Sequence, residues 1–474
     1  MPKYILYAKG IYTSQSDSCA GGLMQEEKLG IRHIGSRLRH GRPFMTFTLW
    51  LAANLTIADY ALGSIFYGLP LTYIILAIVI GNVLGGLLLG LMASMGPSFG
   101  LPQMMASRAY FGRKGNTPFA VANWISTVGW FTVNIVLGGY AVQLLLNVPF
   151  IFGAAMLVVV QGALAIYGHD AIHRFELFMA VALAVMFALV GIAAYSGALL
   201  RMPSYQASAS FNPYLFALCV AAVFSYLMSW SPYASDYSRY LPEGTSRAKV
   251  AAYAMLAGLI ACTAVELIGV WVYVSVGGAA ANPIVALAQA AGSWSALALL
   301  AIILGSVTAN SLNLYTNSLS AQIVYGKVGR ARAVLAASAI GLALAVAGSS
   351  NFALFYQDFL LTLDYWITPW IAVMVGGFLI SRAMPKPGTW AGVRWRALLA
   401  YLAGLLVSVP FMNLTSYGIP YEGVFAVMWG GADVSYFVSF IAALCIYAVF
   451  ASGRASPQPA SSTSAVLGGA LGGD

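Results

Sequence analysis

Long apolar runs recur along the whole chain, and they constrain its fold more than any other feature. A helix needs about 20 mostly apolar residues to cross a bilayer. Because every backbone polar group must be paired within the hydrocarbon, such runs predict membrane-spanning helices. The sequence therefore predicts an all-α integral membrane protein with twelve transmembrane helices, at 44–68, 73–96, 118–146, 149–168, 173–199, 211–231, 250–275, 294–325, 331–348, 353–380, 396–415 and 433–451.

Charge and cysteine content exclude several classes of protein. Only 8% of residues are charged, against about 25% in soluble domains, which excludes a soluble enzyme. The four cysteines, Cys19, Cys219, Cys262 and Cys445, are too far apart to indicate a disulfide framework or a zinc site. No phosphate-binding loop or cofactor fingerprint occurs. We therefore expect neither an enzyme nor a cofactor.

Basic residues predict the orientation. Of 23 Lys and Arg residues, all but Arg201 precede span 1 or follow an even-numbered span. The positive-inside rule then places both termini in the cytoplasm of a multi-pass protein of the cell membrane. The net charge of +9 thus reflects topology, and no nucleic acid is expected as a partner.

Two spans carry signs of a helix break. Span 1 contains Asn54, Thr56 and Asp59 within ANLTIAD, and span 6 contains SWSPYASD (229–236), in which Pro232 removes a backbone donor. Breaks at spans 1 and 6 indicate two repeats of five helices, and such breaks form substrate and ion sites. The alternative is a polar packing seam in span 1 and a simple proline kink in span 6. The predicted organisation is a cytoplasmic leader (1–43), two five-helix repeats (44–199 and 211–380), two further helices (396–451) and a disordered cytoplasmic tail (452–474).

Polar stripes follow spans 3 and 8. In each, four residues are spaced by four, three and four positions and so share one helical face. An indole beside amides suits a flat polar ring, although interhelical hydrogen bonding uses the same residue types. The stripes are Asn123, Thr127, Trp130 and Asn134 in span 3, and Ser306, Asn310, Asn313 and Asn317 in span 8.

Other ionisable groups also lie in or near the spans. Buried carboxyl groups mark candidate proton sites, and these are Asp59, Glu266, Asp358 and Asp364. His169 and His173 are four residues apart, but no third ligand is nearby in the sequence, so a solvated cytoplasmic turn is favoured over a metal site.

Several strings resemble the nucleobase–cation symporter family. They are SPYASDYSRYLP (231–242), GLPQMMASRAYFGRKGNTPF (100–119), VGWF (128–131) and ANSLNLYTNSLS (309–320), within a match from about 26 to 450. The sequences of these motifs are most similar to the purine–cytosine permease branch. The resemblance implies two inverted five-helix repeats plus two extra helices. It also implies alternating-access import of a nucleobase or related planar heterocycle with H⁺ or Na⁺.

The resemblance also implies substrate-binding residues. Trp130 is the family's stacking tryptophan, Asn134 lies one turn later, and Thr127 replaces a glutamine. The second sandwiching position is Leu227, where known members carry an aromatic residue, so Tyr226 or Trp230 would have to supply the ring. The remaining expected contacts are Ser229, Asn310 and Asn313.

The implied cation site combines spans 1 and 8. Its ligands would be the carbonyls of Leu51, Asn54 and Gly305 and two consecutive hydroxyl positions, here Thr308 and Ala309. Ala309 has no side-chain oxygen, so one sodium ligand is missing. A proton carried by Asp59, Glu266 or Asp364 is the alternative.

Two rival functions remain at this level. An amino-acid permease of the same fold would have to hold a carboxylate and an amine, which Trp130 and amides suit less well. A non-transporting membrane sensor would bind the same solute without accumulating it.

Overall fold

The computed structural model describes residues 29–278, 282–381 and 390–452. Throughout these ranges the chain is helical, with one isolated β-bridge between Asn413 and Glu422 and no strand. The first part of the bundle contains α1 (Phe44–Asn54), α2 (Ile57–Tyr60), α3 (Gly63–Phe66), α4 (Leu71–Ala93), α5 (Met95–Phe99), α6 (Gln103–Phe111), α7 (Thr117–Leu146), α8 (Phe150–Tyr167), α9 (His169–Leu199) and α10 (Met202–Ser208).

The second part continues with the same kind of long apolar helices. It contains α11 (Pro213–Met228), α12 (Ala234–Ser238), α13 (Arg247–Val276), α14 (Pro283–Ala291), α15 (Ser295–Val324), α16 (Arg330–Gly348), α17 (Phe352–Ser381), α18 (Trp395–Ser408), α19 (Val424–Met428) and α20 (Ser435–Ser452). Short 3₁₀ turns link several of them, including Ser231–Tyr233 between α11 and α12.

The number of helices fit to cross a membrane agrees with much of the prediction. Nine helices of the described residues are long and apolar enough, or ten if the bent pair Phe44–Asn54 and Ile57–Phe66 counts as one span. Two shorter apolar helices, Trp395–Phe411 and Ser435–Ala451, lie where spans 11 and 12 were expected. The protein is therefore a multi-pass membrane protein, while the full count of twelve stays a prediction.

Packing places the broken helices at the centre of the bundle. The helices α7 and α15 run along each other, and α4 lies against α11 and α13. The α1–α2 break contacts α7 and α15, and α17 contacts both α7 and α11. Side chains from α7, α11, α15 and α17 therefore meet beside the break.

The described part of the leader, residues 29–43, crosses one end of the bundle. The Ile34 amide donates to Gly100 O at 2.9 Å, and Arg39 Nε donates to Ile34 O at 3.0 Å. The buried Arg239 Nη1 donates to Gly30 O at 2.8 Å. Burial, reinforced by the Arg39 guanidinium, lowers the pKa of His33. Residues 1–28 of the leader and 453–474 of the predicted tail lie outside the described residues.

Candidate substrate and cation sites

The predicted break in the first span is present. Helix α1 ends at Asn54, and α2 begins after Thr56, whose hydroxyl caps it by accepting from the Ala58 amide at 3.2 Å. A threonine at this position favours a helix start because its side chain satisfies an otherwise unpaired N–H. The axis bends by 54° between the two halves. Span 1 is therefore a broken helix and not a continuous helix with a polar packing seam.

The second interruption is milder. Helix α11 ends at Met228, and Pro232 lies in the 3₁₀ turn before α12. The Ser229 hydroxyl donates to the Tyr226 carbonyl of its own helix at 2.6 Å. Among the described helix pairs, only the first span bends by more than 40°.

Trp130 lies in a ring of aromatic side chains. Three rings contact its indole in edge-to-face geometry. The distances between centroids are 5.5 Å to Tyr226, 5.3 Å to Phe359 and 6.2 Å to Tyr356, and the interplanar angles are 89°, 77° and 71°. The indole is 5% exposed, and its Nε1 has no hydrogen-bond partner. A buried N–H without a partner is costly, so this donor is available to a ligand.

Gly129 makes this packing feasible. A Cβ at this position would lie 2.3 Å from Cε2 of Phe359, a distance that no packed carbon tolerates. The glycine of VGWF therefore lets the α17 ring reach the indole on the next residue.

The three candidates for the second ring position have different surroundings. Tyr226 contacts the indole, whereas the Leu227 side chain lies against Gly86 and Gly258 of α4 and α13. Trp230 packs on Trp50, at 5.4 Å between centroids. Leu227 thus points into a helix interface, because neighbouring residues on a helix differ by about 100° in direction.

Asn134 connects α7 to the break between α1 and α2. Its Nδ2 donates to Trp130 O at 3.0 Å, and the Thr56 hydroxyl donates to its Oδ1 at 3.4 Å. One side of the aromatic ring is therefore bordered by an amide and a hydroxyl group.

The other expected polar contacts join helices. Thr127 accepts from Asn317 Nδ2 at 2.9 Å. Asn310 donates to Phe131 O and Gln161 Oε1, both at 3.0 Å. Because both amide hydrogens of Asn310 are donated to neighbouring helices, Asn310 stabilises helix packing in this conformation.

Asn313 is also engaged. It donates to Asn310 Oδ1 at 3.2 Å, and its own Oδ1 accepts from Tyr233 at 3.1 Å. The partners Gln161 and Tyr233 were not singled out in the sequence, since nothing in spacing shows which distant helix a polar residue faces.

An oxygen-lined position lies between the α1 break and α15. The Thr308 hydroxyl is 2.7 Å from Gly305 O and 3.3 Å from Ala52 O. A Cβ on Gly305 would be 2.7 Å from Leu55 O, so this carbonyl also faces α15. Hard cations are bound by such oxygens.

The register of this position differs by one residue from the expected ligands. The Thr308 hydroxyl donates to Ala52 O, and Leu55 O lies against Gly305, whereas the expected carbonyls were those of Leu51 and Asn54. The Leu55 amide donates to both Leu51 O, at 3.1 Å, and Ala52 O, at 3.3 Å. Asn54 donates to Trp50 O at 2.7 Å, and its buried Oδ1 has no partner. Ala309 is buried and adds no oxygen.

The candidate proton sites separate into two places. Asp59 of α2 lies beside Glu266 of α13, and both are fully buried. Asp364 instead adjoins Asp433 in a cleft lined by the loop between α18 and α20. A further buried carboxyl group, Glu176 of α9, accepts from Ser311 at 3.5 Å; it was not among the predicted proton sites.

The expectation of a solvated histidine turn is wrong. His169 is buried against Tyr240, with stacked rings 3.6 Å apart, and His173 lies 4.3 Å from His169. The leader brings His40 to the same place, where its Nε2 is 3.6 Å from Asp170. Ligand atoms of His40, His169 and Asp170 lie within 4.8 Å of one another, so His169 is grouped with His40 and Asp170 and not with His173.

Comparisons with known proteins agree with this architecture. The chain is 26% identical over 454 residues to a putative purine-cytosine permease, YxlA, of Bacillus subtilis, covering 91% of this chain and 97% of the relative. It is 26% identical over 349 residues to the purine-cytosine permease fcyB of Emericella nidulans, covering 69% and 68%. The solved structure of Mhp1, a nucleobase-cation-symport-1 family transporter in a closed conformation with bromovinylhydantoin bound, shares its fold. The TM-score is 0.73 at 19% identity, over 90% of this chain and 95% of Mhp1.

A sequence profile covers most of the chain. The profile describes a permease for cytosine/purines, uracil, thiamine and allantoin, and it matches residues 33–439. The match confirms the resemblance seen in the motifs and the expectation of a transporter rather than an enzyme. This chain belongs to that family of cytosine/purine, uracil, thiamine and allantoin permeases.

Proposed function

We propose that this protein imports a nucleobase or closely related planar heterocycle together with a cation. It works in the cell membrane with both termini in the cytoplasm. The chain is arranged as two inverted five-helix repeats, 44–199 and 211–380, followed by two helices, 396–451. Alternating access around the broken first span moves the substrate site from one face to the other.

The observation that carries the proposal is the indole of Trp130. It lies beside the helix break with an unpartnered N–H, among the rings of Tyr226, Tyr356 and Phe359. An indole face stacks on any base, for about 1–3 kcal/mol. The Asn134 amide and Thr56 hydroxyl then read the edge of the ring, since a mismatched base would leave them unpaired.

The relatives' names support this cargo. The named purine-cytosine permeases and a hydantoin-bound symporter share planar, neutral, hydrogen-bonding substrates. Tyr226 takes the place expected of Leu227 as the second ring. Thr127, Asn310 and Asn313 support the site because their hydrogen bonds join the helices that carry it. Ser229 stabilises the end of α11 by its bond to the Tyr226 carbonyl.

The coupling cation is Na⁺ or H⁺. The carbonyls of Ala52, Leu55 and Gly305 with the Thr308 hydroxyl offer four oxygens for Na⁺, and Ala309 withholds a fifth. Discontinuous helices bind both kinds of cation at such positions.

Uptake into proteoliposomes tests the proposal. Labelled cytosine, adenine, hypoxanthine, uracil and allantoin are each offered under an inward sodium gradient and, separately, under a sodium-free proton gradient. Labelled leucine serves as the rival cargo, and ionophore-treated vesicles serve as the control. We expect one base to accumulate above the ionophore control.

Three results would contradict the proposal. Accumulation of leucine would favour an amino-acid permease. Saturable binding of a base without accumulation would favour a sensor. Accumulation of a base by a Trp130→Ala variant at the wild-type rate would remove the stacking role.

A further inference from the structure

Two buried carboxyl groups from distant parts of the chain face each other next to the substrate site. Asp59 comes from α2, directly after the break, and Glu266 comes from the middle of α13. Both side chains are 0% exposed. Among the described residues, only the Cys262 thiol and the carboxyl groups of the pair itself adjoin the oxygens of Asp59 and Oε1 of Glu266, and none of these three oxygens makes a well-formed hydrogen bond. Oε2 of Glu266 accepts from Asn82 Nδ2 at 2.6 Å.

Close backbone contact forces this arrangement. A Cβ on Gly63 would lie 2.3 Å from the carbonyl carbon of Gly269, and a Cβ on Gly269 would lie 2.4 Å from Tyr60 O. Only glycine allows the two helices to touch in this way. Asp59 precedes Gly63 by one turn, and Glu266 precedes Gly269 by one turn, so the same contact brings their side chains together.

Among the described residues, no Lys or Arg side chain acts on the pair. The titratable groups around it are the Cys262 thiol and the hydroxyl groups of Tyr226 and Tyr356. The salt bridges Arg39–Glu243 and His40–Asp170 lie elsewhere. A buried carboxylate without a partner is strongly unfavourable, so two facing carboxylates are not stable together. A proton on one group would supply the donor that the other lacks.

The pair is connected to the substrate site through two tyrosines. Tyr226 and Tyr356 both border Asp59, and both rings contact the indole of Trp130. The Tyr356 hydroxyl also donates to Ala58 O at 2.6 Å, one residue before Asp59. A change of charge at Asp59 therefore acts on the rings that enclose the substrate and on the broken helix that must move.

We propose that Asp59 and Glu266 form the proton-carrying pair of this transporter and that H⁺ is its coupling ion. This inference rests on the proposed function. One shared proton stays on the pair throughout; the pair takes a second proton from H₃O⁺, which leaves H₂O, while the site is open to one side. That second proton makes the pair neutral and is released to water on the other side, so no further reactant is consumed. The neutral, protonated pair is the form that can be enclosed, because it carries no net charge through the closed state.

The first test needs only the wild-type protein. Proteoliposomes in lightly buffered, sodium-free medium, clamped at zero membrane potential, receive the base that accumulates best, and a pH indicator follows the medium. We expect base entry to make the outside medium more alkaline. With one proton per neutral base, a gradient of one pH unit supports about tenfold accumulation. Base entry that needs sodium and leaves the pH unchanged would overturn the inference while leaving the proposed function intact.

Neutral variants then locate the proton. In Asp59→Asn and Glu266→Gln the accumulation ratio should fall to one, while exchange of external labelled base for internal unlabelled base persists, since exchange needs no net proton movement. Glu422→Gln, which changes an exposed carboxyl group, is the matched control and should accumulate base normally. Full accumulation by both variants, or its loss only in Asp364→Asn, would overturn the assignment. Failure of wild type in both accumulation and exchange would instead refute the proposed function.

Discussion

Replacing Trp130 should weaken substrate binding in steps that follow from its surroundings. Trp130→Ala removes the stacking face, worth about 1–3 kcal/mol, which corresponds to an affinity loss of about 5- to 150-fold. Trp130→Phe keeps a smaller aromatic face and removes the N–H. Because that N–H has no partner within the protein, its loss should change binding by the energy of one hydrogen bond, about 1 kcal/mol.

Protein stability has to be separated from this effect. Truncating a buried tryptophan costs about 3–5 kcal/mol in a packed core, and the alanine variant also loses three ring contacts. Trp130→Phe avoids most of that cost. Trp395→Ala, which alters a ring that is 64% exposed, is the control for expression and handling.

The assay is displacement of a labelled base from purified protein in lipid nanodiscs, with thermal unfolding measured on the same samples. We expect the order of affinity to be wild type, Trp130→Phe, then Trp130→Ala. If folded Trp130→Ala bound the base within about twofold of wild type, stacking on this indole would contribute under about 0.5 kcal/mol, and the substrate would lie elsewhere.

Three other perturbations follow from the structure. Gly129→Ala should destabilise the protein by about 1–3 kcal/mol in thermal unfolding, because its Cβ would lie 2.3 Å from the ring of Phe359. Ala309→Ser should restore an oxygen to the cation site, so that sodium at about five times its Kd raises the free energy of unfolding by about 1 kcal/mol. Docking of the segment 29–43 should weaken as the pH falls below about 6.5, because burial and the Arg39 guanidinium lower the folded pKa of His33; proteolysis at several pH values measures this.

Each of these has a control and a contrary result. Gly329→Ala, where a Cβ meets nothing within 4 Å, should leave stability unchanged; equal unfolding curves for the two alanine variants would contradict the packing argument. Ala309→Gly should gain no response to sodium, and an Ala309→Ser variant that sodium does not stabilise would argue against an oxygen cage. Acid weakens docking because the released segment binds a proton at His33 more readily than the docked segment does. His33→Gln should therefore lose the pH dependence, and unchanged dependence would exclude His33 as its source.

Local patterns predicted much of this protein. Apolar runs predicted the helices because, within hydrocarbon, a helix pairs all of its backbone N–H and C=O groups internally. Asn54, Thr56 and Pro232 marked the interruptions, since capping hydroxyls and prolines act within one turn of themselves. The motif around Trp130 predicted the aromatic centre of the site, although its role in binding stays a prediction.

The rotation and contact of helices were not encoded so locally. Tyr226 and Leu227 are adjacent, and only the packing of α11 shows that Tyr226 meets the indole. The polar stripe on α15 has the spacing of a substrate face, yet Asn310 binds Phe131 and Gln161. Interhelical hydrogen bonds and substrate contacts use the same residue types at the same helical spacing.

The sequence by itself therefore determined the helices, their breaks and the chemical character of the central stripe. The tertiary structure alone decided which polar groups face one another. Asp59 and Glu266 are far apart in the chain, and they meet because Gly63 and Gly269 let two backbones touch. Periodicity reports which side of a helix is polar, whereas the partner of that side depends on how closely and at what angle the neighbouring helices pack.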